Sequence, residues 1–264
     1  MPGSADRRTA EGDPPAGMIV AAGVRRSFGA LAAVSDVSFR LPAGRIVGLV
    51  GSDGAGKTTL LRMIATLLSP DAGTLTVAGR DVVRERAAVK EMIGYMPQRF
   101  GLYQDLTVAE NFDFFMDIYG ITGEERRRRR GRYLGFSNLL PFTDRRAGDL
   151  SGGMKQKLGL ACVLVHEPQV LILDEPTNGV DPVSRQEFWQ ILAEMQQAGM
   201  TILVSTAYLD EGERCDRLLL MHNGRILADA LPAEVRAGFG SLEEAMIERI
   251  RAVDTVLAED AFGG

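Results

Sequence analysis

The run Gly51-Ser52-Asp53-Gly54-Ala55-Gly56-Lys57-Thr58-Thr59 sets three glycines ahead of a lysine and two hydroxyls. Glycines let a backbone wrap tightly with its N–H groups turned inward, which makes a cradle for anionic oxygen. The spacing, a glycine, four residues, then Gly-Lys-Thr, is that of a loop that holds the phosphates of a nucleoside triphosphate. Lys57 is placed to reach the β- and γ-phosphates, and the Thr58 hydroxyl to ligate Mg²⁺. An apolar strand, Arg45–Val50, precedes the loop, and a helical run, Lys57–Leu68, follows it. The start of that helix adds partial positive charge.

A second group of residues that can do chemistry closes the apolar run Val170-Leu171-Ile172-Leu173 with Asp174 and Glu175. A strand that ends in carboxylates delivers them to the edge of a sheet where ligands bind. Asp174 is the candidate to hold magnesium, directly or through water. Glu175 is the candidate general base that polarises an attacking water. The alternative, a solvated strand-end charge, is the lesser reading of Glu175 even taken alone, and the phosphate loop lowers it further.

These residues need a scaffold, and the chain supplies one. Met18–Val24 and Val34–Leu41 have the composition of strands, Thr74–Ala78 that of another, and Ser69-Pro70-Asp71-Ala72-Gly73 breaks the helix before it. The middle is helical: Thr107 with Glu110 forms a capping box, followed by Val108, Phe112, Phe115 and Tyr119 at helical spacing. Thr122 with Glu125 is a second such box. The arginines Arg126–Arg130 behind it could face phosphate, yet Glu124 and Glu125 stand one turn back to pair with Arg128 and Arg129 on a solvated face. Met154, Leu158, Ala161 and Val165 share a helical face, Asp181-Pro182 starts another helix, Thr201–Ser205 is a strand, and Ser241 with Glu244 opens a last helix. Strands alternating with helices imply an α/β fold with a mostly parallel sheet covered on both faces.

Composition narrows the class. The chain has 264 residues, 45% hydrophobic and 25% charged, enough for a sizeable core. A formal net charge of −5 argues against a general nucleic-acid binder. No apolar run approaches the roughly 18 residues that span a bilayer. The polar, Pro- and Gly-rich lead-in (1–17) is expected to be disordered, and its composition is not that of a signal peptide. Cys162 and Cys215 are expected to be reduced, buried thiols by the burial preference of free cysteine, which suits a cytoplasmic setting.

Between the two chemical motifs stands Leu150-Ser151-Gly152-Gly153-Met154-Lys155-Gln156, and Gln156 is 18 residues ahead of Asp174. With this element the chain resembles the ATP-binding cassette family of ABC transporters, from about Met18 to Ile250. The resemblance implies a P-loop NTPase core, an antiparallel β subdomain and a helical insertion subdomain (about 107–150) within a cassette domain (18–240), followed by a C-terminal helix and tail (241–264). It implies ATP and Mg²⁺ as ligands, with Ser151, Gly152 and Gly153 completing the ATP site of a second cassette, in a homodimer or a heterodimer. Phe28 matches the aromatic that stacks on adenine. Gln98, in Tyr95-Met96-Pro97-Gln98, matches the glutamine that senses magnesium and water and faces a transmembrane permease subunit. Gly179-Val180-Asp181 matches the loop that crosses the dimer interface, and His166-Glu167-Pro168 the lead into the acidic strand. The wording GLYQDLTVAEN and YLDEGERCD is most similar to bacterial multidrug and antibiotic exporters, which places the chain on the inner face of the cell membrane through its permease.

Two departures stand out. Ser52-Asp53 replaces the usual Pro-Asn. More consequentially, Val204-Ser205-Thr206-Ala207-Tyr208 carries alanine where the family has a histidine that bonds the γ-phosphate, and a methyl group offers no such bond. One reading is a site that binds ATP but hydrolyses it slowly, as the regulatory half of an asymmetric pair. In the other, Glu175 and Gln98 suffice. Cassette proteins that act in translation or on chromosomes have paired cassettes, coiled-coil arms or basic surfaces, none of which this sequence displays.

Overall fold

The computed structural model describes residues 17–262, with side chains through Asp254. Nearly all of the lead-in expected over 1–17 therefore lies outside the described residues.

Two sheets organise the chain. The first is antiparallel and joins β1 (Ile19–Phe28), β2 (Leu31–Leu41), β4 (Ala72–Val77) and β5 (Arg80–Asp81) in the order β2-β1-β4-β5. The second runs β10-β9-β3-β8-β7-β6, built from β3 (Ile46–Val50), β6 (Ile93–Met96), β7 (Val170–Asp174), β8 (Thr201–Thr206), β9 (Arg217–His222) and β10 (Arg225–Ala230). Within it β6, β7, β8, β3 and β9 are parallel, and β10 turns back antiparallel to β9.

The parallel strands are mostly apolar and buried because helices and the first sheet cover both faces. Side chains alternate along a strand, and the core divides accordingly. Ile46, Val50, Leu171, Leu173, Ile202 and Val204 point into one cluster, with residues such as Leu158, Phe188 and Leu192 from the helices Gly152–Val163 and Pro182–Gln197. Val47, Leu49, Val170, Ile172 and Leu203 point the other way, against the first sheet and the helix Lys57–Ile64.

The helices are α1 (Lys57–Ile64), α2 (Arg86–Met92), α3 (Val108–Ile118), α4 (Gly123–Phe136), α5 (Gly152–Val163), α6 (Pro182–Gln197), α7 (Leu209–Gly212), α8 (Pro232–Arg236) and α9 (Leu242–Phe262). The Thr107 box forms in full, Thr107 N donating to Glu110 Oε2 and Glu110 N to Thr107 Oγ1. Asp181 caps α6 through the Ser184 backbone N–H, which also holds its carboxyl below the usual carboxylate range.

Several sequence expectations need correction. The helix read as Lys57–Leu68 stops at Ile64, because Thr66 turns left-handed (φ 61°) and the Leu67 and Leu68 N–H groups return to the Arg62 carbonyl. The Thr122 box does not form: Gly123 takes φ 61°, and Thr122 caps α4 without a side-chain hydrogen bond. Of the two acids read as partners for the arginine run, Glu125 takes both Arg128 and Arg129, which also pair with Glu167. Arg126 and Arg130 reach back to α3, to Asp117 and Asp113. At α9, Glu244 N donates to Ser241 Oγ, but the Glu244 carboxylate accepts from Gly240 N. Cys162 and Cys215 are free and buried; burial pushes the first thiol far up and, with help from the Glu211 and Asp216 charges, the second to about 12.

Candidate functional site

The β3–α1 turn builds the phosphate loop. Gly56 stands at φ 104°, where a side chain is strained, and a Cβ there would lie 2.2 Å from the Ala33 carbonyl oxygen. At Gly51 a Cβ would lie 2.1 Å from the Met221 carbonyl oxygen. Both positions therefore require glycine on steric grounds alone.

Lys57 folds under the loop with its side chain 4% exposed. Its ammonium donates to the carbonyls of Gly51 (2.7 Å) and Ser52 (3.0 Å) and lies 3.4 Å from Glu175 Oε1. One step below, Thr58 Oγ1 donates to Asp174 Oδ1 at 3.1 Å, and Ser205 Oγ donates to the same oxygen at 2.8 Å. Asp174 is 1% exposed, so its charge rests on these hydroxyls.

Glu175 follows at the tip of β7 with φ 49°, a left-handed backbone stabilised by its N–H donating to the Ser205 carbonyl (3.2 Å) and Oγ (3.0 Å). Strain of this kind persists where the surroundings over-determine it, commonly at functional sites. Its Oε2 accepts from Gln98 Nε2 at 2.9 Å and from Asn178 Nδ2 at 3.3 Å. The Tyr95 phenol nearby is raised above its usual pKa, first by burial and then by the Asp174 charge.

Above these groups opens a cleft of about 690 Å³, lined by Phe28, residues Asp53 to Thr59, Gln98, Glu175, Asn178 and the Asn223-Gly224 turn, among others. Phe28 stands at the mouth, half exposed, with the Arg26 guanidinium 4.9 Å from its ring centre. The structure thus brings Phe28, Lys57, Thr58, Gln98, Asp174 and Glu175 together. It keeps Ser151, Gly152 and Gly153 apart: they open α5, with Ser151 Oγ accepting from Met154 N, and they do not line this cleft.

Ser205, Asn178 and the Asn223-Gly224 turn were missed by the sequence reading. Asn178 stands three residues past Glu175, and Ser205 two before the notable Ala207. Neither histidine compensates for Ala207: His166 Nε2 bonds the Ile93 carbonyl, with its pKa lowered by burial, and His222 Nε2 bonds Asp254.

The profile of the ABC transporter family matches residues 34–178, more than half of the chain. The probable multidrug ABC transporter ATP-binding protein YbhF of Escherichia coli (strain K12) is 55% identical over 200 residues, 76% of this chain and 35% of that protein. The doxorubicin resistance ATP-binding protein DrrA of Mycobacterium tuberculosis (strain H37Rv) is 36% identical over 244 residues, 91% of this chain and 74% of that protein. The chain belongs to the ABC transporter family. It carries the family's ATP-binding cassette, and spans about a third of the length of the Escherichia coli relative.

A solved ATP-binding subunit of an ABC transporter superposes with a TM-score of 0.78 at 30% identity, covering 88% of this chain and 99% of that one. The dimeric cassette MJ0796 matches with a TM-score of 0.73 over 81% of this chain and 98% of that one, at 24% identity, a likeness of fold. Among the described residues no helix is long and apolar enough to cross a membrane.

Proposed function

We propose that the cleft binds MgATP and hydrolyses it, and that the cassette works as the nucleotide-binding subunit of an exporter, against a separate transmembrane permease. The observation that carries this reading is the convergence on one wall of Lys57, Thr58, Asp174, Gln98 and Glu175. Lys57 faces both the loop that would wrap the phosphates and the carboxylate that would receive a proton. A γ-phosphate entering here competes with Glu175 for the same ammonium.

Thr58, Asp174 and Gln98 offer hard oxygen donors, the set that suits magnesium shared with substrate phosphates. Magnesium bound there would neutralise charge on the β- and γ-oxygens. Gln98 and Asn178 orient the Glu175 carboxylate. As water attacks the γ-phosphorus, Glu175 takes its proton; the bond to the bridging oxygen breaks, and ADP and inorganic phosphate leave.

Ser151, Gly152 and Gly153, absent from this cleft, are free to close the ATP site of a second cassette as a helix N-terminus directed at phosphate. The names of relatives such as the doxorubicin resistance protein favour export. With no helix able to span a membrane among the described residues, the permease would hold the cassette at the inner face of the cell membrane.

Ala207 favours a second version of the same reading, slow hydrolysis in a cassette whose partner carries the faster site. It is exposed beside Glu175, with no donor for the γ-phosphate.

Equilibrium ATP binding tests the site. Lys57→Ala, and chelation of magnesium in the wild type, should each weaken ATP binding at least ~10-fold, since charge-assisted phosphate contacts are among the stronger hydrogen bonds. Unchanged affinity in both would overturn the assignment.

A further inference from the structure

We propose that Tyr208 is a positioning residue for the proposed base, acting through the Asn178 amide on Glu175; this rests on the reading of Glu175 as the group that takes the proton from water. At the tip of β8 the small side chain of Ala207 borders a chamber of about 220 Å³, whose wall includes Asp53, Glu175, Asn178 and Tyr208. That space has room for several waters, and the polar groups around it are not arranged at random.

The Tyr208 phenol reaches Asn178 Oδ1 at 3.5 Å, and Asn178 Nδ2 donates to Glu175 Oε2 at 3.3 Å. Both steps are long, as such contacts are before a site closes on its substrate. Their direction matters more than their length. An amide presents a donor on one side and an acceptor on the other. The Glu175 carboxylate only accepts, so it is what turns the Asn178 NH₂ toward itself, and this leaves Oδ1 to accept the proton of the Tyr208 hydroxyl. The flipped amide would set one acceptor against another. Tyr208 thus holds the far end of the Asn178 amide in the position from which Glu175 Oε2 receives two amide donors, from Gln98 and Asn178.

The phenol is itself held. The Tyr208 backbone N–H donates to Thr206 Oγ1 at 2.9 Å, and Thr206 Oγ1 donates to Glu211 Oε2 at 2.6 Å. The other oxygen of Glu211 accepts from Thr177 Oγ1 at 2.6 Å. Glu211, 1% exposed, therefore ties the segment that carries Asn178 to the segment that carries Tyr208. The Arg185 guanidinium lies 4.9 Å from the Tyr208 ring centre and steadies the ring from α6.

The test is steady-state ATP hydrolysis by the full chain, comparing wild type, Tyr208→Phe, Asn178→Ala, the double variant and Glu175→Gln. Tyr208→Phe keeps the ring on Arg185 and removes only the hydroxyl. It and Asn178→Ala should each lower kcat on the order of 10-fold with KM for ATP unchanged, the signature of lost alignment rather than lost binding. Because the two act in series, the double variant should lose no more than Asn178→Ala alone. Wild-type kcat in Tyr208→Phe, additive losses, or a wild type that turns over no ATP while Ala207→His does would each overturn the relay. Full activity in Glu175→Gln would instead sink the reading of Glu175 as the base, an outcome distinct from the failure of Tyr208 alone.

Discussion

Gly153 is under a packing demand besides the role proposed for it at a second ATP site. It stands in the first turn of α5, and a Cβ on it would sit 2.3 Å from Ser184 Cβ at the start of α6. Gly153→Ala should therefore force α5 away from α6 and destabilise the chain by about 1–3 kcal/mol. Denaturant unfolding checks it, and Ser184→Gly in the same chain should restore most of the loss; no rescue would mean the clash is not the cause. Residues of this kind, with Lys57, Thr58, Asp174 and Glu175, were legible in the sequence because their types and spacing carry the chemistry. Ser205 and Asn178 were not. A lone serine at a strand end carries no signature, and its bond to Asp174 Oδ1 exists only once β8 pairs beside β7.

At the scale of elements, the tips of β7 and β8 and the short α7 are fastened by one buried carboxylate. The Thr206 hydroxyl accepts from Tyr208 N, so its own proton is committed to Glu211 Oε2, and Thr177 supplies the second proton to Oε1. Glu211→Gln replaces one acceptor by a donor and leaves a buried hydroxyl without an acceptor. It should cost about 1–3 kcal/mol, read as a drop in the denaturant midpoint at unchanged slope. A midpoint equal to wild type would show the clamp to be dispensable. Element types were largely readable from apolar periodicity. The β9–β10 hairpin was missed although Asn223-Gly224 announces it: both residues take positive φ (44° and 75°), the conformation a two-residue hairpin turn requires. The early stop of α1 and the unformed Thr122 box were misread because single left-handed residues, Thr66 and Gly123, override local propensity.

For the whole molecule, the alternation of β3, β7 and β8 side chains between two clusters explains why the parallel sheet was predictable and its strand order was not. Apolar runs declare burial on both faces, but which strand lies beside which is set by pairing across the chain: β3 lies between β8 and β9, some 150 residues and more away in sequence. That ordering brings the phosphate loop, the acidic tip of β7 and Gln98 after β6 to one edge of the sheet. The central claim is that this edge is a hydrolytic ATP site in which Glu175 receives the proton and Ala207 leaves the γ-phosphate one contact short. Steady-state ATP hydrolysis by wild type, Glu175→Gln and Ala207→His tests it most directly. The expected result is slow turnover in the wild type, a fall of about 10²-fold or more in Glu175→Gln with ATP still bound, and a gain of up to about 10²-fold in Ala207→His. Turnover in Glu175→Gln equal to wild type, or no gain on restoring the histidine to a slow wild type, would contradict it.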